Sequence, residues 1–204
     1  MILALETSTR CASLAVLDER GDSLLWESRF ETDRSHNSII FGPVEEALGR
    51  FGREITMVAV GLGPGSYGGI RVGIAVANGL AMARGWRTQG VSSLEAFGAG
   101  EDCFIVGDAR RKTFFLAEVS EGALRDEPLL LPAEELEQRL EGIQGQIYSA
   151  EETVVERFRP VELAFPRAQM IGKRASQRVI SDESESPLEP HYLRAPYITT
   201  PKSR

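Results

Sequence analysis

A glycine-rich turn between two apolar segments is the first candidate for chemistry in this chain. It reads Gly61-Leu-Gly-Pro-Gly-Ser-Tyr-Gly-Gly69, after a strand-like stretch and before a helix-like one. Reactive side chains are nearly absent there, so the turn would act through backbone N–H groups at a helix N-terminus, which can hold an anion or let another backbone approach closely. Gly63, Gly65 and Ser66 are therefore candidates for contact with a nucleotide phosphate.

Three better-known sites built on such turns are disfavoured by the surrounding residues. The spacing matches a dinucleotide-binding turn, but a strand meander precedes it and no acidic residue follows until Glu95. A Walker A loop would need Gly-Lys-Ser/Thr, which is absent. A serine peptidase would need Ser66 with His36 or His191, the chain's two histidines, yet the Gly-x-Ser-x-Gly elbow is missing. Ser66 is instead expected to cap a helix.

Composition limits the classes of function further. The 204 residues are 42% hydrophobic, enough for a core, and carry a net charge of -7. This acidity argues against the chain alone gripping a polyphosphate backbone, so contact with nucleic acid is expected only indirectly, through a partner. Cys11 and Cys103 lack metal-ligand spacing and are expected to be reduced, and no metal site is predicted. Without a basic leader or a long apolar stretch, the sequence predicts a cytoplasmic protein that does not enter membranes.

Strand-like and helix-like segments alternate in an order typical of a ribonuclease-H-like lobe: three strands, then helix, strand, helix, strand. The second half repeats part of this plan. The predicted strands are 2–5, 12–17, 24–30, 57–62, 127–131 and 146–150, and the predicted helices are about 36–50, 69–84, 133–140 and 167–180.

An internal repeat supports two lobes. Glu6 and the residues after it align with Asp108 and its followers, with the same Leu-Ala in the next strand, at an offset equal to half the chain. We therefore predict a lobe at 1–102 and a smaller one at 103–204. Both acids then stand where two-lobed actin-like ATPases place carboxylates that face phosphates and Mg²⁺. The second half offers only Ser149-Ala-Glu-Glu152 where the glycine turn should recur, so ATP turnover by this chain alone is not expected.

The helix predicted at 69–84 is apolar on every side, with small residues between the large ones. Such a helix is either buried within its own chain or left bare for another molecule to cover, and small residues would allow close helix packing there. Two basic clusters, Arg110-Arg-Lys112 and the later group Lys173, Arg174 and Arg178, lack interleaved aromatic residues, and the later group is expected to form a solvated helix face. The block Pro190-His-Tyr-Leu-Arg194 is interpreted as a closing strand or a docking edge.

Six blocks in order resemble the TsaB (YeaZ) family. They are Ile2 to Thr9, Ser35-His36, Gly63 to Arg71, Gly90 to Ala96, Asp108 to Arg111, and Pro190 to Arg194. The resemblance implies an α/β, actin-like ATPase fold (ASKHA) of two ribonuclease-H-like lobes, each a mixed sheet with helices. It also implies a non-catalytic subunit required for N6-threonylcarbamoylation of adenosine 37 in tRNAs that read ANN codons. The partners implied are a TsaD-like paralogue, a TsaE-like ATPase and, when the chain is alone, a second copy.

The resemblance also suggests positions for sites. The partner would bind through the two helices of the first lobe, and the residues predicted for this interface are His36, Ile40, Val44, Leu48, Ile70, Ile74, Ala77 and Ala81. A nucleotide, ATP or ADP with Mg²⁺, would be held within the complex by Glu6, Thr7, Ser8, Gly63, Gly65, Ser66 and Asp108. No catalytic residue is predicted. The alternatives are an independent actin-like ATPase and, less favoured, a serine peptidase.

Overall fold

A computed structural model describes residues 1–31, 37–98, 102–180 and 188–193. Two mixed β-sheets dominate it. The first has the spatial order β3-β2-β1-β4-β5, with β1 antiparallel to β2 and parallel to β4. Its strands are β1 (Ile2–Glu6), β2 (Cys11–Leu17), β3 (Leu24–Glu31), β4 (Met57–Gly61) and β5 (Arg87–Val91).

Helices cover both faces of the first sheet. Helices α1 (Phe41–Phe51) and α2 (Tyr67–Arg84) share a core cluster with Leu3 and Leu5 on one face. On the other face, the C-terminal helix of the described chain, Ala168–Ile180, packs against Ile2 and Ala4. Because successive side chains of a strand point to opposite faces, burial on both sides explains why β1 is apolar without alternation.

The second sheet has the order β11-β10-β6-β7-β8, and β9 also pairs with β7. Helices α3 and α4 pack on one face, and the other face packs against a short 3-10 helix, Ser93–Ala96, that follows β5. The strands are β6 (Cys103–Asp108), β7 (Thr113–Ser120), β8 (Ala123–Leu124), β9 (Leu129–Pro132), β10 (Gln146–Ser149) and β11 (Glu162–Leu163), and the helices are α3 (Ala133–Glu141) and α4 (Glu152–Arg157). The helix Ala168–Ile180 is therefore α5.

The two sheets repeat one plan, as the sequence predicts. In each, the central strand is antiparallel to the next strand and parallel to a later one: β1 with β2 and β4, and β6 with β7 and β10. Glu6 ends β1 and Asp108 ends β6, so the two acids occupy equivalent positions. The predicted pair of mixed sheets with helices is confirmed.

Several local predictions need correction. The stretch expected as one helix begins as a 3-10 helix, Asn37–Ile40, before α1, and His36 lies outside the described residues. Residues 188–193 are not a strand, so the closing-strand interpretation of this block is wrong for its described part. The sequence does not predict helix α4. In the described ranges, none of the helices combines the length and apolar character that crossing a membrane requires.

The boundary between the lobes at residue 102 stays a prediction. The second sheet begins at Cys103, but α5, from the second half of the chain, packs against β1, β2 and β4 of the first sheet. Helix α5 therefore packs with the first sheet, whereas the sequence-based division placed its residues in the second lobe.

Candidate functional site

A cleft of about 940 Å³ lies between the two sheets. The loops that follow β1, β4, β6 and β10 line it, and these four strands end on the same side of their sheets. Ligand sites in α/β sheets form outside the carboxyl ends of the strands, where loops from neighbouring strands diverge. The cleft is therefore the candidate small-molecule site of this fold.

The structure brings most of the predicted nucleotide-binding residues to this cleft. Five of the seven line it, and they are Thr7, Ser8, Gly65, Ser66 and Asp108. Glu6 and Gly63 are buried beneath it. The predicted residues therefore lie on or beneath one cleft at different depths, and their role in binding a nucleotide stays a prediction.

Glu6 is the main correction within this set. Its carboxyl group is fully buried, Oε1 accepts a hydrogen bond from the Ser8 N–H at 2.6 Å, and Oε2 has no hydrogen-bond partner among the described residues. Burial raises the pKa of this carboxyl above its ordinary value. The Glu6 carboxyl group lies under Gly61, and a Cβ at position 61 would collide with Glu6 Oε2. As placed here, Glu6 does not face a phosphate or a metal ion.

Hydrogen bonds within the chain hold the glycine turn in place. The Ser66 N–H donates to the Ser8 carbonyl at 2.6 Å, and the Gly63 N–H donates to Ser93 Oγ at 3.0 Å. Ser66 Oγ accepts from the Gly69 N–H at 3.3 Å, which confirms the predicted N-cap of α2. Much of the backbone donor capacity expected to face an anion is therefore already used internally.

The close contact at Gly69 shows why the turn needs glycine at this position. The Thr7 hydroxyl donates to the Gly69 carbonyl at 2.8 Å, and a Cβ on Gly69 would collide with the Thr7 backbone carbonyl. The first turn of α2 therefore lies directly against the loop after β1, an approach that only glycine allows. Gly68, its neighbour, has open space around the same position.

The loop after β10 carries carboxylates where the glycine turn would recur. Glu151 Oε1 accepts a hydrogen bond from the Asp108 N–H at 3.0 Å, and Glu152 forms an ion pair with Arg10 at 2.6 Å. Both glutamates line the cleft. Burial is the first cause that raises the pKa of Glu151, and the nearby Asp108 charge adds to it. This wall of the cleft presents acceptors rather than N–H donors.

The segment 188–193 lies at the mouth of the cleft. The His191 N–H donates to the Leu62 carbonyl at 2.8 Å, and the Tyr192 ring stacks on Tyr67 with 5.7 Å between ring centroids. Arg71 Nε donates to the Tyr192 hydroxyl at 3.0 Å, and its guanidinium lies 4.0 Å from the centre of the Tyr67 ring. Sequence reasoning singled out this block as a strand or docking edge but did not connect it to the glycine turn.

The predicted interface residues mostly pack inside their own chain, so they are not available to a partner in this structure. The five residues at most 8% exposed, packed between the helices and the first sheet, are Ile40, Val44, Ile70, Ile74 and Ala77. Leu48 and Ala81 are half-buried against the same cluster. Apolar periodicity identifies the side of a helix that faces its own sheet, so it selected core positions rather than the outer surface.

The outer faces of α1 and α2 combine small or apolar residues with polar ones. Glu45, Glu46 and Arg50 are exposed on α1, and Arg71, Asn78 and Arg84 are exposed on α2. The small or apolar residues that are exposed on α2 and share helical spacing are Ala75, Gly79, Met82 and Ala83, and Met82 is 90% exposed. On α1, Phe41 is 58% exposed beside Gly42, and Gly49 is also exposed. Helix α2 is thus not wholly buried in its own chain, and its exposed side carries small apolar residues beside Arg71 and Asn78.

Sequence comparison identifies the family. Residues 30–171 match the family model described as TsaD, tRNA N6-adenosine threonylcarbamoyltransferase. The tRNA threonylcarbamoyladenosine biosynthesis protein TsaB of Escherichia coli is 33% identical over 102 residues, 48% of this chain and 43% of that protein. The chain belongs to this family, in its TsaB (YeaZ) branch. TsaB of Haemophilus influenzae is 29% identical over 136 residues, 62% of this chain and 56% of that protein.

These curated TsaB relatives are matched over only about half of their own length. Solved structures of the branch agree over nearly the whole fold. YeaZ from Pseudomonas aeruginosa superposes with a TM-score of 0.73 at 22% identity, covering 94% of this chain and 98% of that one. The fold is therefore the two-lobed, actin-like fold of the TsaB (YeaZ) branch, as the resemblance implies.

Proposed function

We propose that this chain is a non-catalytic subunit in the biosynthesis of N6-threonylcarbamoyladenosine at position 37 of tRNAs that read ANN codons. In the cytoplasm, it binds and activates a TsaD-like threonylcarbamoyltransferase through the outer faces of α1 and α2. When that paralogue is absent, it pairs with a second copy of itself. It also works with a TsaE-like ATPase. Family membership supports the pathway. The outer faces of the two helices support the mode of action.

Exposed glycines on these helices are the observation that carries the proposal. A Cβ on Gly42, Gly49 or Gly79 would meet nothing within 4 Å, so no contact inside the chain requires glycine there. Glycine inside a helix costs about 1 kcal/mol relative to alanine. Close approach of a partner helix's backbone would explain why these positions are glycine, since such packing excludes larger side chains. Gly73 differs, because its Cβ would press on Thr7 and Val60 of the same chain.

We propose also that the chain does not hydrolyse ATP alone. Several N–H groups of the glycine turn, among them those of Gly63 and Ser66, bond within the chain, and the opposite wall carries Glu151 and Glu152, which would repel phosphates. Asp108 accepts a hydrogen bond from the Arg110 N–H and forms an ion pair with the Arg110 side chain, rather than facing the cleft unpaired. These donors and acceptors do not fit Mg²⁺-ATP. Turnover of Mg²⁺-ATP by the purified chain would contradict this part of the proposal.

Co-purification with the TsaD-like paralogue tests the interface. Gly79→Arg places a long charged side chain in open space on the outer face of α2 and also improves helix propensity by up to about 1 kcal/mol. We expect the variant to fold with unchanged or higher thermal stability and to lose the paralogue. Tagged chain and untagged paralogue are co-expressed, and the eluted ratio is measured.

Glu137→Arg on α3 is the matched control, because Glu137 is also exposed but belongs to the second sheet's helix layer. This control should co-purify with the paralogue as the unmodified chain does. An intact complex with the Gly79→Arg chain would overturn the proposed interface, whatever the result for the control.

A further inference from the structure

A long edge strand borders the first sheet. Strand β3 is the last in the spatial order β3-β2-β1-β4-β5, and β2 is its one partner strand among the described residues. It is eight residues long, and Leu24 and Leu25 at its start are 39% and 40% exposed. Its outer edge therefore presents backbone N–H and C=O groups that can pair with another strand.

The opposite edge of the same sheet is covered by its own chain. The Arg178 side chain of α5 donates to the Gly90 carbonyl of β5 at 2.8 Å, and a Cβ on Gly90 would lie 3.3 Å from the Leu188 side chain. In the described part of the chain, no such segment lies along the outer edge of β3. The two edges of one sheet therefore differ in what they offer to another molecule.

The side chains of β3 are arranged symmetrically about Ser28. The charged residues Glu27 and Arg29 flank it, and the aromatic residues Trp26 and Phe30 come next. Because successive side chains of a strand face opposite sides of the sheet, the two charges share one face and the two rings share the other. Both rings are half-buried against the core cluster on the α1 and α2 face. The pairing with β2 is irregular only at the leucine end, so residues 26–31 form a regular strand.

This symmetry makes the strand complementary to itself. When two copies of β3 lie antiparallel about a two-fold axis at Ser28, Glu27 of each copy is opposite Arg29 of the other, and Trp26 is opposite Phe30. Opposite charges and aromatic rings are favourable cross-strand pairs, and the two-fold axis forms each pair twice. Charges of one sign would protect an edge by repelling a second copy. The charges of β3 instead attract one.

The contacts that Glu27 makes within its own chain are compatible with this pairing. Its carboxylate accepts from Arg29 at 2.9 Å and from Arg167 at 3.2 Å, and the Arg29 side chain is 57% exposed. Alternate residues of one strand are about 6.6 Å apart, whereas directly opposite residues of paired strands have Cβ atoms about 5 Å apart. Arg29 of a second copy would therefore approach Glu27 at least as closely as its own Arg29 does. A carboxylate can accept from several donors at once, so both arginines can bind it.

We propose that β3 is a self-association surface, on which a second copy of this chain adds its own β3 antiparallel and joins the two five-stranded sheets into one. Backbone hydrogen bonds along the edge supply the affinity, and the Glu27–Arg29 pairs set the register. This surface is separate from the outer faces of α1 and α2. The inference therefore goes beyond the proposed function and does not depend on it.

The test is made in the Gly79→Arg chain, whose new charge on the outer face of α2 is placed to prevent pairing through the helices. Met82→Arg, at a position 90% exposed on the same face, provides a second background. Sedimentation equilibrium measures the dimer dissociation constant of each. We expect a dimer in both backgrounds, and a monomer in both at up to about 100 µM chain would overturn the proposal.

Charge reversal in these backgrounds tests the register. Arg29→Glu places carboxylates opposite each other at both symmetric pairs, and Glu27→Arg places guanidinium groups opposite each other. We expect each variant alone to dimerise at least about tenfold more weakly. An equal mixture of the two variants should dimerise like the background chain, because every pair between unlike copies is attractive again.

The mixture also separates loss of pairing from loss of fold, since a misfolded chain would not be restored by a second variant. A mixture that dimerises no more tightly than the separate variants would overturn the proposal.

Arg87→Glu is the matched control, because it makes the same charge change at an exposed position on β5, the opposite edge of the sheet. It should dimerise like the background chain. Equal weakening by Arg29→Glu and Arg87→Glu would overturn the proposal, because association would then follow total charge. In the otherwise unmodified chain, Arg29→Glu should still co-purify with the TsaD-like paralogue. Failure of the β3 pairing and failure of the proposed helix interface therefore give different results.

Discussion

The loops after β4 and β10 occupy equivalent places in the two halves of the molecule but are built from opposite chemistry. The first is a glycine turn that leads into the 18-residue helix α2, with Ser66 as its cap. The second is Ser149-Ala-Glu-Glu152, which leads into the six-residue helix α4 without a side-chain cap. One loop is shaped by close backbone contact, and the other by carboxylates.

Two sheets with the same strand plan therefore carry loops of different chemistry at equivalent positions. Both halves have a central strand with an acid at its end, yet within the described residues the glycine-rich turn follows β4 and has no counterpart after β10. The long helix after the first turn supplies an outer face, while α4 is too short to supply one. Under the proposed function, the first half would supply the helix that associates with a partner, whereas the loop after β10 places acceptors on the cleft wall.

The largest expected effect concerns the close approach at Gly69. Gly69→Ala would force a Cβ into the Thr7 carbonyl, a backbone atom that cannot move aside, and should lower the free energy of unfolding by about 1–3 kcal/mol. Gly68→Ala, one residue earlier in open space, should be neutral or stabilising. Urea unfolding of the two variants measures both. Equal stability of the pair would mean that the first loop does not depend on this contact.

The next effect concerns the buried acid under the first loop. Because the native pKa of Glu6 is raised by burial, the native state binds its proton more tightly than the unfolded chain, whose ordinary value is 4.5. Glu6 therefore contributes stability at low pH that is lost as pH rises above that value. Glu6→Gln should remove this decline and increase the thermal midpoint at pH values above it. A midpoint that falls at every pH would show that the carboxyl group itself is needed.

The smallest expected effect concerns the acid of the second loop. The pKa of Glu151 is also raised by burial, so its contribution has the same sign, but the side chain borders the cleft and is better solvated than Glu6. Glu151→Gln keeps an oxygen for the Asp108 N–H and should flatten the pH dependence less than Glu6→Gln does. The thermal midpoints of both variants, measured over the same pH range, show which substitution changes the pH dependence more. A larger effect of Glu151→Gln would mean that the second loop raises the pKa of its acid more than the first loop does.

The sequence predicted the fold well where its signals are local or repeated. Apolar strands, the Ser66 cap and the alignment of Glu6 with Asp108 gave most elements within a few residues and the two-sheet plan. It missed α4 because Glu152–Arg157 is short and has no cap signal. It could not assign α5 to the first sheet, since apolar periodicity shows that a helix has a buried face but not which sheet it covers.

The candidate site was predicted less completely. The sequence singled out loops that line one cleft, because strand ends and glycine turns are visible in it, but whether this cleft binds a nucleotide stays a prediction. The burial of Glu6 depends on Gly61 and Ser93, which approach it only in three dimensions. The same holds for Tyr192, whose ring meets Tyr67 from a position 125 residues later in the chain. Such contacts have no local signal.

The packing of α5 has a consequence for how this protein is made. Met170, Ile171 and Ala175 cover the side of β1, β2 and β4 that no earlier helix covers in the described structure. During synthesis, that side of the first sheet would stay exposed to water until residues 168–180 have left the ribosome. We expect a fragment ending near residue 102 to aggregate when expressed, and added residues 168–180, supplied as a separate peptide, to restore its solubility.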